Sequence, residues 1–427
     1  MIKKLVLVFI AITAIQSYGQ EGTASPYSFY GIGSLKFKGT VENRSMGGLS
    51  IYNDSIHVNL RNPASYAGKN LDILNNESRP VKFTVGGTYN STNLKSETSK
   101  DNASSSTFDY VAISIPMGDF GFGFGLMPYT SVGYKLEAYN DNETISNRFN
   151  GEGGLNKAFL GFGYQITEEF SVGVDFQYNF GNTQNSTIEY IYDSEGDPVQ
   201  YQGRENNRSD LSGLNINLGA SYRTMLNEKL ELISGLTYTP ESSLRSKNTR
   251  SFSTIISSGF AVNTADTDLG NLQETDLVLP SKVTFGLGIG KPRKWFVGVE
   301  SEYLKTSDFT NALYSNGAAY EDQSAIKLGG FYIPKYNSFT SYLKRVVYRA
   351  GLHFENTGLK IENESINEFG MSFGLGLPVG SFFSNANLGV EVGKRGTTNS
   401  NLIQENFVNF QLSLSLNDRW FNKRKFD

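Results

Sequence analysis

The chain has 427 residues, 38% of them hydrophobic and 13% aromatic, with 45 glycines, no cysteine and a formal net charge of -4. Its interleaved, nearly balanced charge excludes a nucleic-acid-binding surface. The absence of cysteine leaves neither a disulfide framework nor a lipoprotein anchor. No stretch beyond the first twenty residues approaches the ~18 apolar residues of a spanning helix, so a helical membrane protein is excluded as well. A hydrophobic share below the ~45–50% of soluble domains fits a transmembrane β-barrel, in which alternate strand residues face a polar lumen.

In chain order, Met1-Ile2-Lys3-Lys4 precedes an apolar run from Leu5 to Ile15 and then Ser17-Tyr18-Gly19. Basic, apolar and small residues in that order predict a secretory signal over residues 1–19, cleaved so that the mature chain begins near Gln20. Residues 20–79 show no sustained alternation and carry Gly31, Gly33, Gly47, Gly48 and Pro63. Tyr27, Phe29, Tyr30, Ile51, Tyr52, Ile56, Val58, Leu60 and Tyr66 make the segment too apolar for a free tail. The expected place for it is the barrel interior, as a hatch.

From residue 80 the period is two. Val172, Val174, Phe176, Tyr178 and Phe180 alternate with Gly173, Asp175, Gln177 and Asn179, which a helix could not use. The same pattern recurs at Val283–Ile289 and Val408–Leu416. It predicts an antiparallel barrel over 80–421 of about fourteen strands, near 80–92, 105–118, 120–138, 155–167, 169–192, 211–224, 229–247, 277–290, 293–306, 323–334, 342–356, 366–378, 381–396 and 402–417. Twelve or sixteen strands fit almost as well, because 323–334 is the weakest of these. A soluble sandwich or propeller is the competing architecture, but no blade-length repeat is visible. Short turns, at Gly118-Asp119, Thr167-Glu168, Leu226-Asn227-Glu228, Lys291-Pro292-Arg293 and Gly380, alternate with long polar loops at 93–104, 139–154, 193–210, 248–276, 307–322 and 357–365. That asymmetry puts turns in the periplasm and loops outside the cell. Residues 422–427 form a basic periplasmic tail.

Ser45-Met46-Gly47-Gly48-Leu49-Ser50 and Arg61-Asn62-Pro63-Ala64-Ser65 together resemble the hatch of the FadL/TodX family, outer-membrane transporters of long-chain fatty acids and hydrocarbons. Leu279-Pro280-Ser281-Lys282-Val283 and Tyr348-Arg349-Ala350-Gly351-Leu352 are similar to later family strands. The resemblance implies a hatch motif at Gly47, Gly48, Asn62, Pro63 and Ala64, fourteen strands, and passive passage of a hydrophobic molecule that leaves sideways through a distortion in the third strand. Here that strand carries Met127-Pro128-Tyr129, and proline cannot donate to a strand ladder. Those residues are the candidate exit, with a structural bulge as the alternative. The chain departs from the family's aromatic ending, since Trp420-Phe421 is followed by Asn422-Lys423-Arg424-Lys425-Phe426-Asp427.

Catalysis finds little support. His57 and His353 are the only histidines, neither lies near a nucleophile motif, and metal-ligand spacing and cofactor motifs are missing. Strand phase turns Lys82, Asp175, Glu300, Glu302, Lys327, Arg349, Glu355 and Glu391 inward. Arg349, His353 and Glu355 share one side and form a candidate lumen polar network. The expected partners are outer-membrane lipid, a hydrophobic small molecule and other outer-membrane proteins, with no nucleic acid. External loops rich in Asn, Ser and Thr give weight to a second role, that of a non-transporting subunit in a larger outer-membrane machine for secretion or assembly.

Overall fold

A computed structural model describes residues 22–68, 80–140, 142–309, 318–379 and 384–418. The expected signal at 1–19, the turn at Gly380 and the tail at 422–427 lie outside the described residues. A short strand, β1 (Ser34–Leu35), and one turn of helix, α1 (Val41–Arg44), precede the wall. The wall begins with β2 (Val81–Lys95), β3 (Lys100–Met117), β4 (Phe120–Pro128) and β5 (Thr130–Tyr139). The longest strands follow: β6 (Ile145–Gln165), β7 (Phe170–Glu189) and β8 (Tyr201–Met225). After them come β9 (Glu231–Thr239), β10 (Ser242–Ile256), β11 (Ala261–Thr267), β12 (Glu274–Leu279) and β13 (Lys282–Lys291). The chain finishes with β14 (Trp295–Leu304), β15 (Ala318–Tyr320), β16 (Gln323–Tyr332), β17 (Val347–Ile361), β18 (Glu364–Val379), β19 (Ser384–Arg395) and β20 (Gln404–Asp418).

Every neighbouring pair is antiparallel, and β2 pairs with β20 from Val81↔Asp418 to Lys95↔Gln404, so the sheet closes on itself. Three wall strands are interrupted: the third is β4 then β5, the seventh β9 then β10, the eighth β12 then β13. Counted so, fourteen strands make the barrel. The seventh and eighth crease together, since Pro240 and Pro280 sit between the paired positions Thr239↔Lys282 and Ser242↔Leu279. A proline there lies where the ladder is already broken, which is where a wall tolerates one.

The alternation read from sequence sorts the two faces, and it does so inside out. Phe176, Tyr178, Phe285, Leu287, Ile289 and Phe410 are exposed on the exterior, while Asp175, Gln177, Asn179, Glu300, Gln411, Ser413 and Ser415 are buried. An exterior of large apolar side chains around a polar interior suits hydrocarbon, where an outward charge costs ~2–4 kcal/mol at mid-membrane.

Segments expected as long polar loops are largely strand instead. β3 starts at Lys100, β6 at Ile145 and β8 at Tyr201, and β10 continues into a hairpin with β11. These stretches lack apolar alternation because even their buried face is largely polar, as at Gln202, Asn207, Ser209, Asn248 and Ser253, while backbone pairing needs no apolar face. β11 is exposed along its whole length and pairs, among the described residues, only with β10. The third strand, expected over 120–138 with a distortion at Met127-Pro128-Tyr129, stops at Pro128 and resumes at Thr130.

Residues 22–68, the segment expected as a hatch, pack against the buried polar face of the wall, which makes room for them with glycine. A Cβ on Gly121 would strike the Tyr66 carbonyl, one on Gly173 the Pro63–Ala64 peptide, and one on Gly351 the Met46–Gly47 peptide. Gly121→Val should therefore dislodge the hatch at an overpacking cost of about 1–3 kcal/mol. The expected result is a barrel that still shows heat-modifiable migration but is newly cut by trypsin at Arg61; a hatch as resistant as in the unaltered protein would contradict this packing.

Candidate functional site: the hatch and the break in the wall

The hatch is built from short, capped pieces. Thr40 caps α1 by accepting from the Asn43 backbone N–H at 3.4 Å, while Asn43 Oδ1 accepts from the Thr40 N–H at 3.2 Å. The turn that follows needs left-handed backbone at Gly47 (φ 70°) and Gly48 (φ 88°), and Gly47 N–H donates to Ser372 Oγ of the wall at 2.8 Å. Asn62 does two jobs: its Oδ1 accepts from Ala64 N–H at 3.0 Å to cap the turn Pro63–Tyr66, and its Nδ2 donates to Ala220 O of β8 at 2.9 Å. Pro63 stands first in that turn, where no N–H is needed. All five motif residues thus lie at or beside hatch–wall contacts.

Buried charge fixes the same segment. Arg61 reaches both Glu300 (3.5 Å) and Glu302, and Lys327 joins them at 3.3 and 2.8 Å. Ser50 N and Oγ both donate to Glu300 Oε2 at 2.8 Å. A second cluster centres on Glu368, which takes Lys38 (2.5 Å), Arg395 and His353 (3.2 Å). Glu42 of α1 accepts from Asn387 (2.6 Å) and Ser415 (2.9 Å), and Arg44 pairs with Asp109 (3.2 Å) and Glu391 (3.5 Å). Burial would raise the Asp54 carboxyl, but His57 and Lys82 beside it hold it well below the usual carboxylate range. The candidate network is divided: His353 and Glu355 meet through Glu368 and Lys38, whereas Arg349 turns to Asn387, 3.1 Å away. Among the described residues no group of three or more His, Asp or Glu side chains is arranged to hold a metal.

The third strand is where the wall parts. β3 pairs with β4 only from Val111↔Leu126 down to Met117↔Phe120. Above that level β5 leaves β3 and pairs instead with the hatch, Ser34↔Ser131 and Leu35↔Thr130. Tyr129, between β4 and β5, donates its N–H to Leu155 O (2.7 Å) and accepts from Lys36 N–H (2.9 Å). Met127 is buried, and Pro128 opposes Asn156. A cleft of about 530 Å³ opens here between Ser106, Thr107 and Phe108 of β3 and Pro128, Thr130 and Ser131.

On the inner side of β1 lies an apolar chamber of about 130 Å³ against Tyr30, Ile32, Tyr129, Phe309, Tyr320 and Leu359. It adjoins a more polar one of about 120 Å³, the two sharing Leu35, Lys38, Tyr129, Leu279 and Leu304. Lys157 of β6 lines the polar chamber, over the rings of Phe37 (5.9 Å) and Tyr129 (5.6 Å), with no carboxylate at ion-pair distance among the described residues. Ser34, Leu35, Lys36 and Lys157 carry no sequence signal of their own, because the pairing that matters joins segments about ninety residues apart.

Removing one partner of a buried ion pair costs about 3–5 kcal/mol, because the other charge is stranded. Arg61→Met should lower stability in urea by an amount in that range. Arg208→Met, at an exposed pair with Asp210, should leave the transition where it was. Equal midpoints for both variants would refute the anchoring role of Arg61.

The fold is similar to that of solved hydrocarbon channels. It matches the Ralstonia pickettii toluene transporter TbuX with a TM-score of 0.58 at 14% identity, covering 90% of this chain and 99% of that one. It matches the Pseudomonas putida toluene transporter TodX with a TM-score of 0.58 at 16%, covering 91% and 100%. A Pseudomonas aeruginosa FadL homologue gives 0.56 at 10%, covering 90% and 98%. Among curated proteins none matches the sequence. The sequence matches the BamG family over residues 1–427, and the chain belongs to that family.

Proposed function

We propose that the protein is an outer-membrane barrel that lets small hydrophobic molecules pass from the apolar chamber sideways into the membrane through the break in its third strand. The observation that carries this reading is the pairing of β5 with hatch strand β1, which puts a removable partner between chamber and cleft. Two paired residues and the Lys36–Tyr129 bond hold β1 itself. Residues 38–68 are clamped by charge, and residues 25–29 by Ser25 to Glu405, Tyr27 to Ile403 O and Gly133 N–H to Ser28 Oγ. The piece that can shift is therefore β1, between two fixed anchors. The chamber of about 130 Å³ is near the ~150 Å³ of a cavity that takes benzene, which favours cargo of one ring over a long acyl chain.

A second reading, a non-transporting subunit of a larger outer-membrane assembly, is favoured by two other observations. The extended β6, β7, β8, β10 and β11 form a one-sided sheet ending in the exposed β11. Membership of the BamG family also separates the chain from channels that share its fold at 10–17% identity.

The chain lacks cysteine, so Leu35→Cys with Thr130→Cys places one disulfide across directly opposed strand positions, within bonding reach. Toluene uptake into vesicles carrying this variant should stop when oxidised and return on reduction. Uptake unchanged by the disulfide would remove the lateral path. In the same assay Pro128→Val should lower uptake several-fold by letting the ladder close further. If the unaltered protein gives no uptake and co-purifies with a second large barrel, the subunit reading replaces transport.

A further inference from the structure

We propose that the loop over residues 333–346 is a binding site for the headgroup of an anionic phospholipid, at the membrane interface on the turn end of the barrel. This inference needs a membrane-embedded barrel but not a transporting one.

The loop is a built structure. Lys335 N–H donates to Lys344 O at 2.8 Å, Ser338 N–H to Lys335 O at 3.2 Å and Arg345 N–H to Tyr342 O at 2.9 Å. It is also turned outward. Tyr348, on the exterior face of β17, donates its hydroxyl to Leu343 O at 3.2 Å, and Tyr342 donates to Pro378 O of β18 at 3.0 Å. The tip from Phe339 to Arg345 therefore lies along the outer rim of the wall, beside the exterior pair Tyr332↔Tyr348, while Ile333 and Tyr336 at the loop's start border a pocket shared with the hatch. Aromatic pairs at that level mark the edge of the hydrocarbon in membrane barrels.

Two properties of the tip then coincide. Phe339 is fully exposed and Leu343 is 67% exposed, so each presents an apolar side chain with no protein cover. Around them stand Lys335, Lys344 and Arg345. The neighbouring turn adds Lys291 and Lys294, and Lys294 Nζ ties the two by donating to Pro334 O at 2.7 Å. Neither 291–294 nor 333–346 contains an acidic residue. Arg345 lies over the Tyr342 ring (5.4 Å), so an aromatic face holds its guanidinium group at this rim. Apolar side chains that enter acyl tails, next to the exposed cations Lys335, Lys344 and Arg345 at headgroup depth, form the pattern that recognises an anionic phospholipid. A periplasmic protein could also meet a basic loop. The outward fold against the wall favours lipid, because it sets the apolar tip at the hydrocarbon edge.

The test is native mass spectrometry of the full-length, detergent-solubilised barrel titrated with dioleoyl phosphatidylglycerol, with dioleoyl phosphatidylcholine in parallel. The unaltered protein should bind phosphatidylglycerol at least tenfold more tightly than phosphatidylcholine. The triple variant Lys335→Gln, Lys344→Gln, Arg345→Gln should lose that preference while keeping heat-modifiable migration. Phe339→Ser, which leaves every cation in place, should weaken both lipids by a few-fold. Lys229→Gln, in another turn at the same end, should change nothing. The proposal is overturned if the triple variant keeps the preference, if Lys229→Gln abolishes it equally, or if the triple variant loses only a co-purifying periplasmic protein.

Discussion

In hydrocarbon, every backbone N–H and C=O must find a partner within the protein, and this chain's architecture follows from that requirement. Ring closure through β2 and β20 meets it around most of the circumference. It fails where β5 leaves β3, and there the hatch supplies the missing strand. The hatch is thus part of the wall as well as its filling. A segment with that double duty cannot be disordered, and it cannot be chosen independently of the barrel around it.

The wall, in turn, is shaped for the hatch. Its lumen face alternates between glycines that admit the hatch backbone and charged residues that meet hatch charges, as at Gly351 beside Met46 and Glu300 beside Ser50 and Arg61. Close approach and ion pairing act together, because a charge buried without its partner would cost several kcal/mol. The apolar chamber lies where hatch and wall meet through aromatic and aliphatic side chains, near Ile32, Tyr129 and Phe309, and the polar one borders the charged contacts of Arg61, Glu302 and Lys327.

Much of this was legible in the sequence, and the reasons for success and failure are physical. Val172 to Phe180 disclosed their strand because one face meets an apolar medium and the other a polar lumen. Pro128 disclosed the break because it lacks an N–H. The outer parts of β3, β6, β8 and β10 were hidden, since strands whose two faces are both largely polar show no apolar alternation. The pairing of Leu35 with Thr130 was hidden for another reason: backbone hydrogen bonds leave no mark in side-chain chemistry. Arg349, His353 and Glu355 read as one inward group from their phase, yet phase along one strand could not show that Lys38 and Glu368 would gather two of them and leave Arg349 to Asn387.

The bond from Ser415 to Glu42 spans 373 residues. The hatch is synthesised first, and the strand that receives this carboxylate follows 373 residues later. Arg44 and Arg61 find Asp109 on β3 and Glu300 on β14 before then, whereas Glu42 lacks its β20 partner and must stay hydrated. Full seating of the hatch and sealing of the barrel therefore coincide, and an assembly arrested before β20 would hold an open trough with the Glu42 carboxylate short of partners.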